Sequence, residues 1–149
     1  MDGNDFFHTL MPPVEEFIKT VEVFIAGLEK PSLKLFLSSL LDQEKEHLKD
    51  IGEVFLSSDF PDNEDPEFNR ICKELLESMV QNLPEISDSL SLMGDTIRRK
   101  QAAYNFFSYL ASHTGGSSVS DSLMSITLEE KRHIKLLEDR LTLEELSAG

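Results

Sequence analysis

Two hexapeptides, EKEHLK at Glu44 to Lys49 and EKRHIK at Glu130 to Lys135, are nearly the same, in a chain of 149 residues with only four histidines. Each opens on Glu-x-x-His. Residues three apart on a helix project from one face, so Glu44 with His47, and Glu130 with His133, can each bring a carboxylate oxygen and an imidazole nitrogen to one point. Around Glu44, the apolar residues Leu33, Leu37, Leu40, Leu41, Leu48, Ile51 and Phe55 keep helical spacing. They predict a helix from Pro31 to about residue 57, where SSDFPDNEDPE interrupts. Around Glu130, Val119, Leu123, Ile126, Ile134, Leu137 and Leu141 predict another over about 118 to 147. Aligning Glu44 with Glu130 also pairs Leu37 with Leu123 and Leu40 with Ile126, so the chain reads as an internal duplication.

Each hexapeptide has a helical segment before it. MPPVEEFIKTVEVFIAGLEK places Val14, Phe17, Val21, Phe24 and Leu28 at spacings of three and four, after prolines suited to a first turn. This predicts a helix over about 12 to 29, joined to the next by so short a link that the two must be antiparallel neighbours. A second long helix is expected to begin near Pro84 or Glu85 and to carry Leu90, Met93, Ile97, Tyr104, Phe107 and Leu110 as far as SHTGGSS, where paired glycines end it. Between the two hairpins, Phe68, Ile71, Cys72, Leu75, Leu76, Met79 and Val80 mark a shorter amphipathic helix closed by NLPE. No segment alternates as a strand does. The expected fold is all-α: a single domain over 1–149, two helical hairpins joined by a long crossover with a short extra helix, the connectivity of ferritin-like four-helix bundles.

Composition narrows the function. A formal net charge of −14 repels nucleic-acid phosphates and anionic lipid surfaces, so neither nucleic acid nor membrane is an expected partner. The acidity itself reads as solvated helix faces. A single cysteine, Cys72, excludes an internal disulfide or a four-cysteine metal centre and reads as a buried small hydrophobe. MDGNDFFHTLMPP has neither a basic start nor a long apolar run, so a cytoplasmic location is expected. Gly-rich phosphate loops and nucleophile elbows are absent from the sequence. His8 and His113 have no Glu three residues before them and read as ordinary terminal or helix-end histidines.

A hard carboxylate beside a borderline imidazole suits iron or manganese, and two such pairs can hold two ions bridged by carboxylates. With EKEH and EKRH on the second helix of each hairpin, the chain resembles a rubrerythrin-type member of the ferritin-like superfamily over nearly its whole length. The resemblance implies a di-iron centre, with peroxide or dioxygen reduction, or ferrous-iron oxidation, as its chemistry. It implies Glu44 and Glu130 as bridging carboxylates, and His47 and His133 as terminal nitrogen ligands. Without the cysteine-rich rubredoxin module of full rubrerythrins, such an enzyme would draw electrons from a separate donor, and a homodimer is expected.

The family also takes a glutamate from the first helix of each hairpin, one turn ahead of a small residue and two turns ahead of an aromatic. Here the sequence departs from the pattern. In the second hairpin Ala103 and Phe107 point back to Lys100, and no acidic residue occurs from Thr96 to Thr114. In the first, Thr20 and Phe24 point back to Phe17, with Glu16 one residue off that face. Two readings stay open. Lys100 can face the core, where its ammonium partly replaces a metal's charge beside Glu44 and Glu130 in a retired site; the protein is then a non-enzymatic scaffold acting through partner binding. Alternatively Lys100 snorkels outward beside Arg98 and Arg99, and Glu16 with water completes a reduced site of one or two ions, iron or manganese. Tyr104, one turn beyond Lys100, is a further candidate for hydrogen bonding near the site or for carrying an oxidising equivalent.

Overall fold

The computed structural model describes residues 1–81, 86–115 and 118–148. Among them lie five α-helices and no strand: α1 (Gly3–Ala26), α2 (Pro31–Phe55), α3 (Pro66–Met79), α4 (Ser89–His113) and α5 (Ser118–Ala148). The short α3 separates two helical pairs along the chain, and packing within each pair is bundle-like, helix laid along helix. The chain forms two compact units, Met1–Asp62 with α1 and α2, and Asn63–Gly149 with α3, α4 and α5.

In the first unit α1 begins nine residues earlier than the apolar spacing predicts, at Gly3 rather than near residue 12. The reason is a capping box that the spacing does not register. Asp2 Oδ1 accepts from the Asp5 backbone N–H at 2.9 Å, and Asp5 Oδ2 accepts from the Asp2 N–H at 2.9 Å, which satisfies two donors that a helix start otherwise leaves open. Pro12 and Pro13 therefore sit inside the helix. Neither can donate to the carbonyl four residues back, but those carbonyls belong to His8 and Thr9, which are exposed and within reach of water.

The early start has a packing partner. A Cβ built on Gly3 would lie 1.9 Å from the Phe55 carbonyl oxygen, so only glycine lets the first turn of α1 approach the last turn of α2 this closely. Phe6, Phe55 and Phe60 close that end with ring centroids 5.5 to 5.8 Å apart. Phe6 is wholly buried, worth about 2–3 kcal/mol of apolar transfer. Further along, Ile18, Val21 and Ile25 of α1 and Leu33, Leu37, Leu40 and Ile51 of α2 are buried. Val14, Phe17, Phe24 and Leu28 flank that stripe half-buried. Pro31 opens α2, where its missing N–H is no loss.

In the second unit Asp65 caps α3 by accepting from the Glu67 N–H at 3.1 Å, with Pro66 in the first turn. The buried stripe Phe68, Cys72, Leu76 and Met79 turns α3 onto α4, where Phe68 stacks on Tyr109 at 5.8 Å. The expected start of α4 at Pro84 or Glu85, and the NLPE that should close α3, lie outside the described residues. The first described residue of α4 is Ser89, capped by Asp88, which exchanges hydrogen bonds with Ser91.

Because α3 and α5 both pack against it, α4 buries an unusually wide arc, from Leu92 and Met93 through Ala103, Phe106 and Phe107 to Leu110 and Ala111. Past its end Gly115 adopts φ +43°, in the left-handed region that favours glycine. Gly116, the other half of the expected glycine pair, lies outside the described residues. Ser120 Oγ donates to the Ala111 carbonyl at 2.8 Å and ties the start of α5 to the end of α4. Among the described residues no helix is long and apolar enough to cross a membrane.

Candidate functional site

The two Glu-x-x-His motifs occupy the same place in their helices and different surroundings. On α2, His47 is 5 % exposed and continues the buried stripe of Leu40 and Ile51, while Glu44 is half-buried. On the preceding helix Phe17 is half-buried, and Glu16 is exposed, with its backbone carbonyl accepting from Thr20 Oγ1 at 3.1 Å. On α5, Glu130 is 2 % exposed and His133 is 0 % exposed. Facing them from α4 is Lys100, itself 6 % exposed.

Lys100 Nζ lies 3.1 Å from Glu130 Oε2. Both ends of this ion pair have left bulk water, which costs several kcal/mol per charge, and the pair persists because each charge compensates the other in a medium that screens them little. The neighbouring polar groups are tied to backbone: Thr96 Oγ1 donates to the Leu92 carbonyl at 2.7 Å and Thr127 Oγ1 to the Leu123 carbonyl at 2.8 Å. His133 Nε2 lies 3.3 Å from Arg132 Nη2 and 3.6 Å from Glu129 Oε2.

Five residues before Lys100, the buried Asp95 is clamped by two arginines. Arg98 Nη2 is 3.0 Å from its Oδ1 and Arg99 Nε 2.9 Å from its Oδ2. Both arginines also reach back to Gln81, Arg99 to its carbonyl and Arg98 to its side chain at 3.3 Å. The clamp thus ties α4 to the segment leaving α3 and employs the two cations beside Lys100. The apolar spacing alone gave no hint of it. The signal was present in the order Asp95, Arg98, Arg99, since acid followed by base at three and four places is the helical ion-pair spacing.

Within the second unit, then, Glu130, His133 and Lys100 are gathered from α5 and α4, with Tyr104 half-buried one turn further along α4. Glu44 and His47 share a face of α2 in the first unit, and Glu16 is exposed on α1. Among the described residues no three of His, Cys, Asp and Glu gather in a way that could hold a metal ion. The first unit also carries an open, chiefly apolar groove of about 520 Å³ lined by Phe7, Met11, Leu48 and Leu56 together with Lys45 and Lys49.

Among the described residues these observations define an all-α chain, five helices arranged as two bundle-like pairs with a short helix between them along the sequence. No protein-family model matches the sequence, and comparison with curated proteins and with solved structures found no similar chain.

Proposed function

We propose that this chain is a non-enzymatic, ferritin-like scaffold that keeps its two Glu-x-x-His motifs after losing the metal they once served, and that it acts by binding a protein partner. The observation carrying this reading is the buried Lys100 ammonium 3.1 Å from Glu130. A divalent ion needs the same carboxylate, and it would have to sit beside a fixed positive charge. The residues gathered on α4 and α5 therefore do not fit a di-iron or manganese centre: one of the two carboxylates such a centre would bridge through is already neutralised by protein, and the exposed Glu16 offers no replacement. No reaction step is assigned.

The deciding measurement is metal content after anaerobic reconstitution with ferrous iron and desalting, repeated with manganese. The scaffold reading expects no retained metal. Two irons per chain would overturn it and restore the alternative, a rubrerythrin-like peroxidase or ferroxidase supplied by a separate electron donor; one ion would overturn it in favour of a reduced mononuclear site. A Glu44→Ala/Glu130→Ala variant separates the readings again, since its metal content can fall only if the parent protein held metal.

A further inference from the structure

The groove between α1 and α2 has no part in the scaffold reading. Phe7 and Met11, one turn apart, line it from α1, and Lys45, Leu48, Lys49, Gly52 and Leu56 line it from one face of α2. From Lys45 to Leu56 that face runs about 16 Å, at about 1.5 Å of rise per residue. Gly52 sets the depth. A Cβ there would lie 3.3 Å from Phe7 Cε2, tighter than ordinary contact, so glycine lets the ring settle onto α2. At about 520 Å³ the groove has the size of a small-molecule site.

Its charges are uneven along its length. Lys45 and Lys49 stand at one end, one turn apart, in a chain where Asp and Glu outnumber Lys and Arg by 28 to 14. Lys45 meets Glu22 at 3.1 Å, an exposed pair that exchanges at small cost. Lys49 makes no ion pair among the described residues. Towards the other end the lining is Phe7, Met11 and Leu56, the last 52 % exposed. The exposed Glu53 follows Lys49 by one turn.

We propose that this groove binds a single-chain amphiphile with a carboxylate head, a free fatty acid of medium length. The head sits between Lys45 and Lys49, and the chain runs over Leu48, Met11, Gly52 and Phe7 to Leu56. Glu53 fixes the direction, because it repels a carboxylate placed further along the groove. An acidic peptide fits less well. Its charges would spread over Asp42, Glu46, Asp50 and Glu53, all exposed on the same helix, whereas an amphiphile brings one anion to the one cationic end. The site uses neither Lys100 nor Glu130 and stands or falls apart from the metal question.

Backbone amide chemical shifts of the full chain, followed as sodium dodecanoate is added, should move and saturate at Phe7, Met11, Leu48, Gly52 and Leu56. Half-saturation is expected at about 0.1 to 1 mM, since a myristoyl chain sunk wholly in a bilayer gains about 10⁴ M⁻¹ and the open groove covers a shorter chain on one side. Lys49→Glu should weaken binding about tenfold, by removing an attraction and adding a repulsion. The side chain is exposed, so helix content by circular dichroism should be unchanged. Lys131→Glu, the same change of net charge on α5, should leave the affinity within about twofold of the parent. Dodecyltrimethylammonium, with the same chain and the opposite head, should bind the groove at least about tenfold more weakly. The absence of saturating shifts, shifts spread evenly onto the exposed leucines of α5, equal binding of the cationic amphiphile, or a Lys49→Glu variant no weaker than Lys131→Glu would each overturn the proposal.

Discussion

The two hairpins carry almost the same hexapeptide, yet one buries its glutamate and the other does not. Glu130 is 2 % exposed on α5, whereas Glu44 at the matching place on α2 remains half-buried. The difference does not lie in the hexapeptides. It lies in what surrounds each: α4 supplies Lys100 at 3.1 Å from the buried Glu130, while Glu44 stays half-buried at the edge of the α2 stripe. A carboxylate can be withdrawn from water only where a neighbour compensates it, so the burial of a repeated motif reports the chemistry of its partner helix more than its own sequence.

The largest effect that would break this comparison is on the ion pair itself. Lys100→Met should destabilise the protein by about 3–5 kcal/mol in urea unfolding, because it leaves Glu130 buried without its counter-charge. Lys100→Met/Glu130→Leu should regain most of that loss. Glu44→Gln, the corresponding probe in the first hairpin, should cost less than about 1 kcal/mol. Equal costs for Lys100→Met and Glu44→Gln would mean that the two motifs do not differ as described.

A smaller effect sharpens the contrast between the units through backbone contact. Gly3→Ala should destabilise by about 1–3 kcal/mol, since its Cβ would meet the Phe55 carbonyl and the ends of α1 and α2 must part. Gly94→Ala in α4 should instead stabilise by about 0.5–1 kcal/mol, because nothing lies within 4 Å of the added Cβ and alanine is the better helix former. Thermal unfolding of the two variants should show melting shifts of opposite sign.

The smallest effect concerns pH and belongs to the second unit, which holds the sole cysteine. Burial pushes the Cys72 thiol up to about 11 from its ordinary 9.0. A raised value in the folded chain means that the unfolded chain loses its proton first, so this contribution is complete below about pH 9 and is lost as pH rises towards 11. Between pH 8 and 10 the parent should lose about 1 kcal/mol more stability than Cys72→Ala loses over the same interval, as read by chemical denaturation at each pH. The same parent and variant slopes would show that the thiol is not shielded.

Much of the fold was legible because it depends on local periodicity. The stripes Leu33 to Phe55, Phe68 to Met79 and Val119 to Leu137 each run at helical spacing, and each is buried along its centre, with Leu48, Ile71, Leu75 and Ile134 half-buried at the edges. The start of α1 was not legible from apolar spacing, because a cap at Asp2 and a glycine contact at Gly3 override the habit of reading prolines as first-turn residues. The direction of Lys100 was not legible either. At its position the sequence allows an inward or an outward ammonium equally, and the outcome depends on the rotation of α4 about its axis.

By itself, the sequence determined that this chain is helical, that EKEH and EKRH lie on the later helix of each pair, and that carboxylate and imidazole share a face there, because helical repeat and residue type are local properties. Tertiary structure decided that α4 turns Lys100 onto Glu130 while Arg98 and Arg99 turn to Asp95. That decision follows from α4 being covered by both α3 and α5, which leaves it a wide buried arc containing Lys100 and Asp95. The side chains on such an arc are fixed by the combined packing of three helices, and no window of sequence contains all three.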